Sequence, residues 1–306
     1  MRVAILGSGG VGGYFGGRLA AAGTDVTFVA RGAHLAALRD RGLRVTSPHG
    51  NIDLRRITAT DQTTSVGPVD VVFFTVKLYD TDSVLPTVEP LLRPGTLVIS
   101  FQNGVDAVHT LTRALGREYV AGGTTYIVSS IAEPGVIHHG GLGRLLFGPL
   151  NDTQRPMLEQ LYERCKAAGI DVTLSDRIMV EIWAKFVRLS AFSGMTAVTR
   201  CPVGPIYADS SLQAMMRAAV TESVAVARAR EIPLPESVVD DIVTAVGAMP
   251  PESKSSMLGD LERGRRLELP WLSGAVVRIG EEVGVPTPTH RFIATVLAPH
   301  VNGTRQ

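Results

Sequence analysis

Cysteine is almost absent from this chain: Cys165 and Cys201 are the only two in 306 residues. Two isolated thiols cannot make a disulfide framework or a thiolate metal site, so both are expected to be reduced, packed side chains. Long apolar runs are missing too, none approaching the roughly 18 residues of a membrane span. Neither sign of charge predominates, since 30 basic side chains meet 29 acidic ones for a formal net charge of +1. That balance excludes a general electrostatic pull toward nucleic acid or an acidic membrane surface. The arginine-rich residues 262–266 have carboxylates beside them and read as a solvated helix face. There is no internal repeat and no low-complexity segment. The N-terminus reads as a folded strand rather than a signal peptide, because glycines interrupt any apolar stretch. A cytoplasmic protein is the expectation. Aromatic residues are scarce at 6%, but 45% hydrophobic residues support a sizeable, largely aliphatic core.

Glycine, by contrast, is plentiful, and it is concentrated where the chain starts. Residues 2–6 form a short apolar run, expected as a buried parallel strand. Gly7, Gly9 and Gly12 follow in G-x-G-x-x-G spacing, with Gly16 four positions on. Residues 11–22 are helix-compatible, Gly23 stands where a helix C′ glycine belongs, and residues 25–30 are a second apolar strand. Strand, glycines, helix and strand in this order predict a dinucleotide-binding βαβ unit. Gly7 would make the tight turn, Gly9 would let the backbone approach a pyrophosphate, and Gly12 and Gly16 would let helix and strand pack closely. A fold that prefers NAD places Asp or Glu about 20 residues after the glycines, at the end of the second strand, to hold the ribose 2′-OH. Here that strand ends in Val29-Ala30-Arg31. A planar, permanently charged guanidinium suits a 2′-phosphate, so NADP(H) is favoured.

Further along, residues 70–76 and 96–100 are near-continuous apolar strands, as expected in a parallel sheet covered on both faces. Residues 31–41 read as a helix, 43–47 and 51–57 as strands joined by a Pro-His-Gly turn. Between 119 and 147 the texture becomes β-branched and glycine-punctuated, which predicts antiparallel strands or hairpins. His138-His139, in that stretch, reads as a surface turn rather than a metal pair. After Pro149 the pattern turns helical apart from a short strand at 171–174, with long amphipathic runs at 178–192, 211–230, 236–248, 271–283 and 288–300. The expected architecture is an α/β Rossmann-type N-terminal domain, residues 1–174, and an all-α C-terminal domain, residues 175–306. The cofactor is expected in the crevice between them. Trp183 and Trp271 are expected as core anchors, and helical surface is available for a homodimer.

Four more positions carry chemistry. Lys77 follows the strand at 70–76, and Gln102-Asn103-Gly104 follows the strand at 96–100, so both lie at carboxyl ends where open α/β sheets bind ligands. Lys185 falls near the start of the first long helix of the second half. Ser253 to Met257 precede Asp260, and Glu268 follows.

Taken in order, the N-terminal glycines, Thr-Val-Lys at Lys77, Gln-Asn-Gly at Asn103, Trp-x-Lys at Lys185, and Ser-Ser-Met followed by Glu268 resemble the ketopantoate reductase (2-dehydropantoate 2-reductase) family over nearly the whole chain. The resemblance implies NADPH-dependent reduction of 2-dehydropantoate to pantoate. It implies Lys185 as proton donor to the ketone oxygen, with Asn103 and Glu268 orienting lysine, cofactor and substrate. Arg31 and Lys77 would grip the adenosine phosphate, and Ser256 would bind the substrate carboxylate. No metal is implied. The chemistry fits: a lysine partly removed from water has a lowered pKa, can act as general acid, and stabilises negative charge growing on oxygen.

The chain departs from the family along one helical face, where asparagines four and eight residues after the lysine are replaced by Leu189 and Ser193. Leu189 and Ser193 therefore stand as candidate substrate contacts in a pocket less polar than usual, and a less polar 2-oxo acid becomes a reasonable partner. Two alternatives accompany the reductase reading. One is a hydroxy acid dehydrogenase of the same superfamily acting on a less polar substrate. The other is a non-catalytic NADPH sensor, which would have no need of a proton donor.

Overall fold

A computed structural model describes residues 1–304. The chain forms two compact units: residues 1–102 with 106–178, and residues 103–105 with those from 179 onward.

The first unit is built on ten strands: β1 (Arg2–Leu6), β2 (Asp25–Val29), β3 (Leu43–Thr46), β4 (Ile52–Leu54), β5 (Thr58–Thr60), β6 (Val71–Phe74), β7 (Leu97–Ser100), β8 (Val120–Glu133), β9 (Val136–Gly148) and β10 (Asp171–Leu174). They follow the order β4-β3-β9-β8-β7-β6-β1-β2-β5, with β10 also paired to β9. From β8 to β5 every neighbouring pair is parallel. Burial explains the composition of these strands. Val3 to Leu6 and Val71 to Phe74 are buried throughout, so neither face can carry a polar residue. One core layer gathers Ile5, Phe15, Phe28, Phe73 and Ile99, and the opposite layer gathers Leu6, Phe74, Val88 and Leu111.

The β-branched stretch forms the expected antiparallel hairpin, β8 with β9, whose register is broken three times by bulges or irregularities. His138 and His139 lie inside β9 and not in a turn. His138 is exposed, but His139 is fully buried, with its ring 4.1 Å from that of Tyr14 and its Nδ1 2.8 Å from Ser47 Oγ. The surface-turn expectation fails because strand alternation sends one histidine of the pair inward. Among the elements not foreseen are strand β5, the helix Asp106–Leu115 directly after the Gln-Asn-Gly turn, and the short helices Thr81–Val84 and Val203–Ala208.

Among the described residues of the second unit every regular element is helical. The longest helix, Ile178–Thr199, extends well beyond the expected end at Phe192. It is followed by Ser210–Ala229, Val238–Gly247, Ser273–Val283 and Pro288–Leu297 as the main packing elements. An α/β Rossmann-type unit is thus joined in one chain to an all-helical unit. No described helix is long and apolar enough to cross a membrane.

Candidate active site

In the first unit the glycine loop joins β1 to the helix Gly10–Ala21. Gly7 has φ +101°, and a Cβ there would lie 2.7 Å from the Val76 backbone nitrogen, so only glycine makes this turn. Gly12 is pressed against the strand, its hypothetical Cβ 2.4 Å from the Gly7 carbonyl and 2.7 Å from Ile5. Gly9 differs, because a Cβ built on it meets nothing within 4 Å. It faces open space at the N-cap of a 12-residue helix that has no side-chain cap and no acidic residue in its first turn. Open space at Gly9 beside the first N–H groups and the positive dipole end of this helix fits a pyrophosphate. His34 braces the loop: one ring nitrogen lies 2.8 Å from the Ser8 carbonyl, and the other accepts from Gly135 N–H at 3.1 Å.

Arg31 is the extended residue that caps the helix Gly32–Arg41, and its guanidinium donates to Asp80 Oδ2 at 2.7 Å. Lys77, exposed, starts the short turn Leu78–Asp80 after β6 and accepts from the Asp80 N–H through its carbonyl at 2.9 Å. The sheet order β6-β1-β2 puts the Lys77–Asp80 turn and Arg31 on either side of the glycine loop. Asp80 was not singled out in the sequence. Its only signal there is an acidic residue three positions after Lys77.

The second unit holds Asn103, Lys185 and Glu268 in one hydrogen-bonded chain. Lys185 Nζ donates to Asn103 Oδ1 at 2.9 Å, and Asn103 Nδ2 donates to Glu268 Oε2 at 3.0 Å. The amide orientation follows from its partners, as an ammonium can only donate and a carboxylate can only accept. Local sequence explains the geometry. Gly104, at φ +80°, lets the turn close onto the Trp271 carbonyl, which a Cβ would approach to 3.0 Å. Glu268 enters a short turn in which its own carbonyl accepts from Trp271 N–H at 3.1 Å. Lys185 is carried by the helix Ile178–Thr199 among buried Trp183, Phe186 and Val187.

Lys185 is only 9% exposed. Its pKa falls from 10.5 to about 8, chiefly because burial penalises the ammonium. The negative charge of Glu268 opposes the fall, and the positive charge of Arg188 adds to it. Arg188, one helical turn after Lys185, is a second group that the sequence did not flag, although i to i+3 spacing puts it beside the lysine.

Leu189 and Ser193 continue from Lys185 at four-residue intervals and so share its helical face. Leu189 is half-buried, while Ser193 is fully buried and its hydroxyl has no hydrogen-bond partner. Ser256 is not drawn into the hydrogen-bonded chain. It is an exposed first residue of the helix Ser256–Glu262, which is capped by Ser255 through Leu258 N–H at 3.0 Å. Among the described residues no group of three or more His, Cys, Asp or Glu is arranged to hold a metal ion.

Two family profiles match successive parts of the chain: "Ketopantoate reductase PanE/ApbA" over residues 3–152 and "Ketopantoate reductase PanE/ApbA C terminal" over residues 177–300. A 2-dehydropantoate 2-reductase of Archaeoglobus fulgidus is 32% identical over 97% of this chain and 96% of its own. A crystal structure of a PanE/ApbA family ketopantoate reductase from Ralstonia eutropha superposes with a TM-score of 0.90, at 34% identity and 98% coverage of both chains. The fold is also shared with a D-mandelate dehydrogenase solved with NADH and anilino(oxo)acetate, TM-score 0.89 at 21% identity and 98% coverage of both chains. Glycine loop, helical second unit and full-length similarity agree: the chain belongs to the ketopantoate reductase family of oxidoreductases.

Proposed function

We propose that the protein is an NADPH-dependent reductase that converts a 2-oxo acid to the 2-hydroxy acid, with 2-dehydropantoate as the default substrate. The observation that carries this reading is the Lys185–Asn103–Glu268 chain. The open backbone at Gly9, flanked by Gly7 and Gly12, suits the pyrophosphate, and Arg31 with Lys77 supplies cations for the adenosine phosphate. When bound, the dinucleotide supplies a hydride to the carbonyl carbon of the substrate. Lys185 holds the proton that the ketone oxygen takes up as that carbon is reduced. With a pKa of about 8 the ammonium is mostly protonated at neutral pH yet gives up its proton readily. Until it does, its charge stabilises the developing alkoxide in surroundings that screen poorly. Asn103 positions the ammonium, and Glu268 fixes the amide of Asn103 while keeping a negative charge near the lysine. Ser256 is retained as a candidate for the substrate carboxylate.

A second reading within the same chemistry is supported by Leu189. An apolar side chain one turn from the proton donor cannot hydrogen-bond a substrate hydroxyl, which favours a less polar 2-oxo acid. The fully buried Ser193 hydroxyl, with no partner, leaves one donor for a substrate oxygen.

NADPH oxidation followed at 340 nm with 2-dehydropantoate and a panel of branched and aromatic 2-oxo acids, each repeated with Lys185→Ala, tests both readings. Turnover of 2-dehydropantoate with the highest kcat/KM, reduced about 10²- to 10⁴-fold in the variant, supports the default substrate. A better apolar 2-oxo acid keeps the mechanism and changes the substrate. Tight NADPH binding without turnover of any acid would instead make the protein a nucleotide sensor.

A further inference from the structure

The preference for NADP(H) rests on a missing carboxylate at the end of β2. The fold returns a carboxylate to that neighbourhood from another strand. β6, β1 and β2 are adjacent and parallel, so the loops leaving their carboxyl ends lie side by side. β1 leads into the glycine loop, β2 into Arg31 and β6 into the turn that ends at Asp80. Across this group Arg31 Nη2 donates to Asp80 Oδ2 at 2.7 Å.

The two partners are not equally free to move. The Asp80 side chain is 20% exposed and that of Arg31 is 76% exposed. The Asp80 backbone is fixed at both ends, its N–H donating to the Lys77 carbonyl at 2.9 Å and its carbonyl accepting from the Ser83 hydroxyl at 2.8 Å. Asp80 is therefore the anchored member, and the long arginine side chain is held against it.

Such a pair treats the two dinucleotides differently. A 2′-phosphate brings about two negative charges and, besides Lys77, must share the Arg31 guanidinium with an existing carboxylate, and like charges so close disfavour each other. A ribose 2′-hydroxyl is a donor, and a carboxylate is the group that commonly accepts from it. Asp80 can accept that bond while still paired with Arg31.

We propose that Asp80 is a specificity-determining residue for the dinucleotide, restraining Arg31 and accepting from the ribose so that the site takes NADH alongside NADPH. This rests on the dinucleotide site of the preceding reading, and the test separates the two. Dissociation constants for NADPH, NADH and the fragment 2′,5′-ADP are measured by calorimetry on the full chain, without substrate, for wild type, Asp80→Asn, Arg31→Ala and the double variant. The expected result is that wild type binds both dinucleotides. Asp80→Asn should then shift the preference toward NADPH by about tenfold, the size of one charge-assisted hydrogen bond. 2′,5′-ADP should tighten in parallel. In the Arg31→Ala background the Asp80 substitution should tighten 2′,5′-ADP much less than it does in wild type, a coupling that a merely structural role would not produce. An unchanged NADPH-to-NADH ratio in folded Asp80→Asn overturns the inference and leaves the reductase reading standing. Failure of wild type to bind either dinucleotide overturns both.

Discussion

Asn103 accepts a hydrogen bond from the ammonium of Lys185 at 2.9 Å although 82 positions separate them in the chain. The amide of Asn103 thus helps to hold the buried ammonium in place. Removing it in Asn103→Ala should lower kcat for 2-oxo acid reduction by roughly 10- to 100-fold, the equivalent of one hydrogen bond to a charged group. The substrate KM should change much less. Steady-state kinetics at saturating NADPH check this. A large rise in KM with kcat unchanged would make Asn103 a substrate-binding group and not a positioning one.

The burial of Lys185 sets a pH dependence with a definite sign. A general acid must carry its proton, so reductive kcat/KM should be level below pH 8 and fall about tenfold per unit above it. Glu268 raises the lysine pKa and Arg188 lowers it. Glu268→Gln should therefore move the alkaline limb to lower pH, and Arg188→Leu should move it to higher pH. Profiles from pH 6 to 10 for the three proteins decide the matter. Limbs that stay in place in both variants would mean that another group titrates.

Two glycines of the same loop should respond differently to alanine. At Gly12 a Cβ would lie 2.4 Å from a backbone carbonyl and 2.5 Å from Thr75 Oγ1, so Gly12→Ala should cost about 1–3 kcal/mol of stability. At Gly9 the same methyl meets nothing within 4 Å. Gly9→Ala should stay within about 1 kcal/mol of wild type, the range of N-cap effects, while NADPH binding weakens markedly. Urea denaturation and calorimetric titration of the two variants separate packing from ligand approach. Equal loss of stability in both would contradict the open space at Gly9.

That contrast shows what could be read from the sequence. Tight turn, close packing and open approach all required glycine, and spacing alone suggested which was which. The strands β1, β6 and β7 were visible because burial on both faces forces uninterrupted apolar runs. β5, three residues of Thr-Ala-Thr, is too short to carry a period and exists through its pairing with β2. The helix Asp106–Leu115 was obscured by the neighbouring Gln-Asn-Gly turn. Lys185, Asn103 and Glu268 were legible as separate motifs, but their meeting depends on tertiary closure. The burial of His139 on Tyr14 and the reach of Arg31 to Asp80 join segments distant in sequence, and no local pattern announces either.

His290 should make the fold acid-sensitive. It is fully buried in the helical unit, its Nε2 lies 2.8 Å from Ser223 Oγ and 2.9 Å from the Ala219 carbonyl, and its Nδ1 has no partner. Burial lowers its pKa to about 4, against 6.5 in the open chain, while the Ala219 carbonyl and the Glu222 carboxylate partly oppose the shift. Above pH 6.5 the ring is neutral in both states and contributes no pH dependence. Between pH 6.5 and 4 only the unfolded chain takes up the proton, so stability is lost as the pH falls through this window. Urea midpoints at pH 7 and pH 5 should differ less in His290→Gln than in wild type. An equal difference in both proteins would assign the acid limb to other groups.

Leu189 gives the sharpest test of substrate choice. It lies one turn beyond Lys185 on the same helix, half-buried, where a side-chain amide could meet a substrate hydroxyl. If the missing amide limits recognition of 2-dehydropantoate, Leu189→Asn should raise kcat/KM for that acid by about 10-fold or more. For a branched apolar 2-oxo acid of similar size it should lower kcat/KM by a comparable factor, since a buried amide would lack a partner. The ratio of the two specificity constants is the quantity to measure, because it cancels any general loss of folded enzyme. A ratio that does not move would show that this face of the helix does not contact the substrate's distal groups, and the substrate pocket would have to be assigned elsewhere.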